Sequence, residues 1–444
     1  MTTALSPAPA TGPAAAPAAD PAHAGGTAPA RTSIPGTAAP APTSAPAAPE
    51  PAPASAAPAV PDPVPAVDPA RAPGVGGPSL AAARPDPADP DPRRALAELA
   101  RWQADGRAAD RFPYRAVLGH YRAVGKNAVG AELLTALRAV GPALAEAGGP
   151  AARLLADWLP QVVDGRQGDY DSYLGSPVYA SLTAAGASAD QVITALLADV
   201  VATEAATLAG APAGLPRTRA ALRALTAVAG LPAGPGAPAE PAELVRACAE
   251  AVATARDAVP AGVLQAVELT LTPTTRGHDE QMFIRVIQIF EAVFAAVAAA
   301  VRTAIAAVAA GRAEPAREQL AEATRQVAGT SAVFRVLTTM PKDAFAVIRA
   351  NTDGRSAVQS RAYRAVENSC PELHRALLDS GLPQDGLSAA MAGLDDAWGA
   401  MKRTHWGITM KIIGSVRGTG GTAGASYLRE AAEARLFPAL DRVG

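Results

Sequence analysis

One histidine of this chain, His405, has surroundings in which its side chain could do chemistry. It is predicted to lie on the apolar face of a helix that ends near Gly414. That face is shared with Trp398, Met401, Ile408 and Ile412. A neutral imidazole among apolar side chains is the form in which histidine binds a haem iron as axial ligand. It is also common in protein cores as a residue with one satisfied hydrogen bond, and the spacing alone leaves both interpretations open.

The segment that follows, residues 417–424, reads Arg-Gly-Thr-Gly-Gly-Thr-Ala-Gly. Glycines let backbone N–H groups approach an anion closely, and Thr419 and Thr422 add hydroxyl groups. The loop therefore suits the carboxylate or ammonium group of an amino acid. It also matches the spacing of a dinucleotide-binding loop, but a helix precedes it where that fold requires a strand, so dinucleotide binding is not predicted.

Other patterns of catalytic residues are missing from the sequence. It contains no paired cysteines or histidines at zinc-binding spacing and no nucleophile elbow. The 444 residues include only five histidines, and the two cysteines, Cys248 and Cys370, lie far apart. A disulfide framework is therefore not indicated, and a reducing cytoplasm is expected. The scarcity of catalytic side chains favours a cofactor if the protein is an enzyme.

Composition divides the chain into a tail and a folded part. Residues 1–92 are mostly Ala, Pro, Gly, Ser and Thr, so this tail is predicted to be disordered because it cannot bury enough apolar surface. The net charge of −2 gives no indication of binding to nucleic acid or to an anionic membrane. The most apolar run, residues 286–301, contains Glu291 and is too short for a membrane span. We expect a soluble cytoplasmic protein.

From about residue 94 onward, apolar residues recur at helical spacing and strand-like alternation is scarce. The sequence therefore predicts an all-α fold. Residues 231–241, rich in Pro and Gly, are expected to form a linker or loop between helical parts at 93–230 and 242–444. One long helix is predicted at 279–310. Its apolar stripe consists of Phe283, Ile287, Phe290, Phe294, Val297 and Val301.

Three segments, in their order and spacing, resemble the tryptophan 2,3-dioxygenase superfamily of haem proteins. Residues 278–284, His-Asp-Glu-Gln-Met-Phe-Ile, are similar to the family's motif on the distal side of the haem. Residues 357–367 resemble its Gln-Ser-x-x-Tyr-Arg helix. The third segment is His405 with the Gly-Thr-Gly-Gly loop that begins at Gly418. The resemblance covers about 276–440 and implies a helical bundle around a b-type haem.

Residues nearer the N-terminus extend this likeness. The segments 112–114, 121–126 and 169–174 are similar to the haem-dependent tyrosine hydroxylases of actinobacterial antibiotic pathways, which belong to the same superfamily. Those enzymes convert tyrosine to 3,4-dihydroxyphenylalanine with peroxide as the oxidant. The resemblance therefore implies an aromatic amino acid as the substrate.

The resemblance also implies roles for individual residues. His405 would be the proximal ligand of the iron of haem b. Arg364 would pair with the substrate carboxylate, for which its planar, two-pronged guanidinium group is well suited. Thr419, beside Gly420 in the glycine loop, would hydrogen-bond the amino-acid head group. Phe283 would pack beside the aromatic ring of the substrate on the distal side.

One position departs from the family. Tryptophan dioxygenases carry a histidine four residues after the Phe283 position, where it meets the indole N–H, and here that position is Ile287. The departure argues against a faithful tryptophan dioxygenase but not against haem binding. Acid–base help with oxygen or peroxide could come from His278, Glu280 or Arg285. The alternative for these three is capping of the helix N-terminus and a solvated surface.

We therefore expect an enzyme of secondary metabolism that uses haem and oxygen or hydrogen peroxide to hydroxylate the ring of tyrosine or a close analogue. The second hypothesis is a dioxygenase or ring-rearranging relative that acts on an indole compound. The third is a helical scaffold, with or without haem, that has no turnover. Members of the family are often dimers or tetramers, which leaves a homo-oligomer open, although the sequence shows no interface signature.

Overall fold

The computed structural model describes residues 92–144, 148–163, 170–208, 214–230, 238–352, 360–412, 425–438 and 440. Every regular element in these ranges is a helix, so the predicted all-α fold class is confirmed. The predicted N-terminal tail, residues 1–92, lies outside them apart from Pro92.

The helices are numbered along the described ranges. They are α1 (Pro92–Ala104), α2 (Tyr114–Val124), α3 (Ala131–Arg138), α4 (Gly141–Leu144), α5 (Pro150–Val163), α6 (Tyr170–Leu174), α7 (Ser176–Ala184), α8 (Ala189–Leu208), α9 (Leu215–Val228), α10 (Pro241–Asp257), α11 (Ala261–Leu269), α12 (His278–Ala309), α13 (Ala313–Leu337), α14 (Lys342–Asn351), α15 (Arg361–Ser380), α16 (Asp385–Ile412) and α17 (Ala425–Glu433). Short 3₁₀ turns, Ala109–Arg111 and Lys126–Ala128, flank α2.

The long helix α12 packs against α8, α13 and α15 and agrees closely with its prediction. Expected at 279–310, it begins at His278 and ends at Ala309. The acidic residues Asp279 and Glu280 lie in its first turn, where the helix dipole favours negative charge. Gly311 follows with a φ of 72°, a left-handed conformation that glycine adopts at little cost. Local signals therefore account for both ends of α12.

Most buried apolar side chains form one large cluster built by α8–α10, α12, α13, α15, α16 and the chain near Phe437. A smaller cluster gathers the N-terminal helices around Trp158, and α11 contributes to both. All the described residues belong to one compact unit, Val75–Gly444. Residues 231–237 of the predicted linker lie outside the described ranges, so the division into two helical parts stays a prediction.

Two of the core helices, α8 and α12, have the length and composition that would also allow a membrane crossing. Both supply many side chains to the large buried cluster. The core helix of a folded protein has the same apolar character, so these two helices are weak evidence for a membrane span.

The end of the described chain folds back onto α16. Asp395 accepts hydrogen bonds from Arg435 Nε at 2.6 Å and from the backbone N–H of Leu436 at 2.7 Å. Lys402 Nζ donates to the carbonyl oxygen of Ala434. The segment after α17 is thereby held against the helix that carries the candidate histidine.

Candidate functional site

His405 lies on α16 and stacks against Phe334 of α13, with ring centroids 6.3 Å apart and planes 20° from parallel. Its side chain is accessible to solvent, yet the surrounding protein lowers the imidazole pKa below its ordinary 6.5 because desolvation disfavours the charged form. The ring thus has protein on one side and solvent on the other, and these surroundings are called here the recess of His405. Within the described ranges neither ring nitrogen makes a hydrogen bond. His405 therefore lacks the one satisfied hydrogen bond that a core histidine would be expected to make.

Five aromatic side chains, called here the aromatic cluster, connect the recess to α15. They are Phe290, Phe294, Phe334, Tyr363 and Trp398. The centroids of Phe334 and Phe290 lie 4.6 Å apart, and Tyr363 stacks on Trp398 at 5.1 Å. Helices α12, α13, α15 and α16 therefore converge on aromatic surroundings for His405.

The residues of this recess fit a haem. Haem requires from the protein an axial ligand such as a neutral histidine, together with apolar contacts to the porphyrin. A bare metal ion would need several protein ligands, and the described residues contain no group of three or more His, Cys, Asp or Glu that could supply them. The predicted role of His405 as the ligand of the iron is compatible with these surroundings and stays a prediction.

The predicted ring-contacting residues lie on α12. Phe283 is half-buried and meets Phe345 of α14 edge to face, at a centroid distance of 5.6 Å. Ile287 is half-buried and packs against a separate small cluster. The members of that cluster are Tyr170, Tyr173, Leu174, Leu271 and Ile284. An apolar side chain with apolar and aromatic neighbours thus fills the position of the dioxygenase histidine.

His278, at the start of α12, is tied to α8. Its Nε2 lies 3.0 Å from Oε1 of Glu204, a carboxyl group that is almost fully buried. Arg217 of α9 lies 3.7 Å from the same carboxyl group and donates to Asp279 Oδ1 at 2.5 Å. These contacts join three helices at the N-terminus of α12.

The carboxyl group of Glu280 is fully buried and accepts five hydrogen bonds. The backbone N–H and the hydroxyl of Thr274 donate to Oε1 at 2.8 and 2.6 Å. The same groups of Thr275 donate to Oε2 at 2.7 and 2.6 Å. Tyr173 donates to Oε1 at 3.2 Å. Glu280 therefore organises the loop before α12 and connects it to α6.

Arg285 is also buried and bonded by its whole guanidinium group. Its Nε donates to Asp199 of α8 at 2.8 Å, and its terminal nitrogens donate to the carbonyl oxygen of Val267 at 2.6 Å and to Gln288 at 2.8 Å. Gln288 in turn donates to the carbonyl oxygen of Leu174. The network links α12 to α8, α11 and α6.

These contacts give His278, Glu280 and Arg285 structural partners, and none of the three side chains is a solvated surface group. Their acid–base role toward oxygen or peroxide stays a prediction.

The predicted carboxylate-binding residue, Arg364, is exposed near the start of α15. Ser360 caps this helix, because its hydroxyl oxygen accepts a hydrogen bond from the backbone N–H of Tyr363 at 3.0 Å. Thr419 and Gly420 lie outside the described residues, so their predicted contact with the head group stays a prediction.

Glu291 is a residue of the site region to which the sequence patterns assigned no role. Its carboxyl group accepts hydrogen bonds from the Tyr170 hydroxyl at 2.9 Å and from the Ser360 hydroxyl at 3.0 Å. Desolvation raises its pKa, and the nearby Asp171 adds to the effect. The available signal was an acidic residue that interrupts the apolar run 286–301, one turn after Ile287.

Because the pKa of Glu291 is raised, the folded protein binds this proton more tightly than the unfolded chain does. The contribution of Glu291 to the free energy of unfolding should therefore fall as pH rises from the ordinary carboxyl pKa of 4.5 through the raised value. In Glu291→Gln that contribution is absent, so the variant should gain stability relative to wild type as pH increases. Urea denaturation of both proteins across this range measures the difference, and parallel pH profiles would contradict it.

The described fold and site define a helical protein whose histidine recess fits a haem. The chain is similar to the tryptophan 2,3-dioxygenase of Bradyrhizobium diazoefficiens, with 26% identity in an alignment of 238 residues. The match covers 38% of this chain and 85% of the relative. No protein-family model matches the chain. The similarity supports the resemblance to the dioxygenase superfamily that the motifs predicted. It does not bear on the closer likeness to the tyrosine hydroxylases, which stays a prediction.

Proposed function

We propose that this protein is a haem-dependent oxidoreductase that oxygenates an aromatic amino acid. The observation that carries the proposal is the recess of His405, where an imidazole with a lowered pKa and no hydrogen bond within the described ranges adjoins the aromatic cluster. The similarity to a tryptophan 2,3-dioxygenase supports the same class of reaction.

Different residues of the chain would bind the haem and the substrate. Haem b, when bound, would supply the iron that activates oxygen or hydrogen peroxide. His405 would hold that iron through a neutral ring nitrogen. Arg364 would bind the substrate carboxylate, and the positive end of the α15 dipole would add to the attraction. Phe283 and Ile287 would contact the aromatic ring, and the loop at Thr419 would bind the head group.

Two reactions are candidates within this class. Hydroxylation of tyrosine is favoured by Ile287, which packs against residues of α6. Its apolar side chain offers no hydrogen-bonding group to an indole N–H. Dioxygenation of tryptophan is favoured by the similarity to a tryptophan 2,3-dioxygenase. We rank hydroxylation first because the position that carries the indole-binding histidine in tryptophan dioxygenases is occupied by Ile287 in this chain.

Mass spectrometry of the products tests this ranking. Purified protein reconstituted with haem is incubated with tyrosine and hydrogen peroxide and, separately, with tryptophan and oxygen. We expect tyrosine to gain one oxygen atom. A gain of two oxygen atoms on tryptophan, with tyrosine unchanged, would show the second reaction instead. Protein that binds haem and converts neither amino acid would contradict both reactions and favour a non-catalytic scaffold.

A further inference from the structure

Glu291 connects three elements next to the proposed amino-acid site. It lies on α12, and its two carboxyl oxygens accept hydrogen bonds from Tyr170 at the start of α6 and from Ser360 at the start of α15. Tyr170 is buried, and so is Ser360. The carboxyl group is thus a partly buried bridge between α6, whose residues pack against Ile287, and α15, which carries Arg364.

The Ser360 hydroxyl makes two hydrogen bonds, one as donor and one as acceptor. It donates to Glu291 Oε2 at 3.0 Å and accepts from the Tyr363 backbone N–H at 3.0 Å. A hydroxyl group has one proton, so donation to Glu291 leaves its oxygen lone pairs directed at the helix N-terminus. The orientation that caps α15 is therefore set by the carboxyl group on α12.

The other charged groups around the bridge do not replace it. Asp171 of α6 pairs with Arg361 of α15 at 3.2 Å, but the side chain of Arg361 is 83% exposed, so this pair adds little rigidity. Tyr173 is the other titratable group close to Tyr170, and it donates to Glu280. Glu291 itself has no cationic partner among the described residues. Within the described ranges, two hydroxyl donors hold this partly buried carboxyl group.

We propose that Glu291 is a positioning residue: through Ser360 it holds the first turn of α15, and with it Arg364, in the arrangement that binds the carboxylate of the amino-acid substrate. This inference rests on the proposed function. Arg364 follows Ser360 by four residues, one helical turn, so a change in the cap acts directly on the backbone that carries the guanidinium group.

Amide hydrogen exchange of residues 361–366 tests the positioning itself and needs no ligand. In the full-length protein, Glu291→Gln and Ser360→Ala should each raise exchange in this turn by about tenfold, because a lost cap or a lost hydrogen bond to a carboxyl group has an effect of this size. Ser360→Thr, which keeps the hydroxyl, should restore slow exchange. The matched control is Asp157→Asn. Asp157 accepts a hydrogen bond from the Ser181 hydroxyl between α5 and α7, so this change alters a similar bond away from α15 and should leave exchange of residues 361–366 unchanged.

Calorimetric titration of the haem-reconstituted protein tests the link to substrate. L-tyrosine and L-tryptophan are compared with tyramine and tryptamine, which lack the carboxylate. Glu291→Gln should weaken binding of the amino acids by about tenfold, as a milder form of Arg364→Ala, and should leave binding of the amines unchanged. Equal losses for amino acids and amines would overturn the inference.

The two measurements separate failure of the inference from failure of the proposed function. If the wild-type protein binds neither amino acid, the proposed function is wrong, and exchange at residues 361–366 alone decides whether Glu291 holds α15. Unchanged exchange in Glu291→Gln overturns the positioning role in either case.

Discussion

Replacing His405 with alanine should abolish tight haem binding and remove the Soret band of the reconstituted protein. The imidazole has a lowered pKa and no hydrogen bond within the described ranges, so a neutral ring nitrogen is available to the iron. Loss of a residue that hydrogen-bonds a metal ligand typically reduces metal affinity about 10–100-fold. Loss of the ligand itself should reduce haem affinity by more than this. Absorption spectra during titration with haem measure the effect.

Two further variants test whether the loss of the Soret band is specific to His405. His374→Ala alters a half-buried histidine on α15 and should leave the Soret band in place. His405→Gly should recover the Soret band when free imidazole is added, because the small ligand can replace the missing side chain. An unchanged Soret band in His405→Ala would remove His405 as the iron ligand and with it the basis of the proposed function.

Glu280→Ala should reduce the free energy of unfolding by about 3–5 kcal/mol, since several donors are left unsatisfied at a buried site. Those donors are the backbone N–H groups and hydroxyls of Thr274 and Thr275, together with the Tyr173 hydroxyl. Urea denaturation followed by circular dichroism measures the loss. Glu268→Ala, at an exposed acidic residue of α11, should change stability by less than about 0.5 kcal/mol.

The isosteric variant Glu280→Gln distinguishes a structural from a catalytic role. Its amide nitrogen meets groups that are themselves donors, so stability should fall as it does in Glu280→Ala. The rate per folded, haem-loaded molecule should remain close to that of wild type if Glu280 only organises the loop. A large loss of rate without a loss of stability would support the predicted acid–base role instead.

Periodicity and local signals were sufficient for the elements that carry the site. Helix α12 was predicted within one residue at each end, because its apolar stripe, acidic first turn and terminal glycine are all local features. The helix of His405 was predicted in the same way and is described to Ile412. The motifs around His278, Arg364 and His405 also indicated the superfamily that the comparison supports.

Contacts between distant residues could not be predicted from these patterns. The stacking of Phe334 on His405 joins α13 to α16, and the Tyr173–Glu280 hydrogen bond spans 107 residues. The pair Arg285 and Asp199 spans 86 residues. Sequence spacing carries no information about such partners, since any of many buried donors could satisfy a given carboxylate or guanidinium group.

Residue type and spacing along one helix predicted that the chain is all-α and that His405 lies on an apolar helix face. The resemblance to the dioxygenase superfamily implied in addition that Ile287, an apolar residue, stands at the position of the dioxygenase histidine. The packing of the helices stacks Phe334 on His405, leaves the imidazole without a hydrogen bond within the described ranges, and makes Glu291 a bridge to two other helices. The reason is physical: burial and partnership depend on how helices pack, and packing brings together residues that are far apart in sequence.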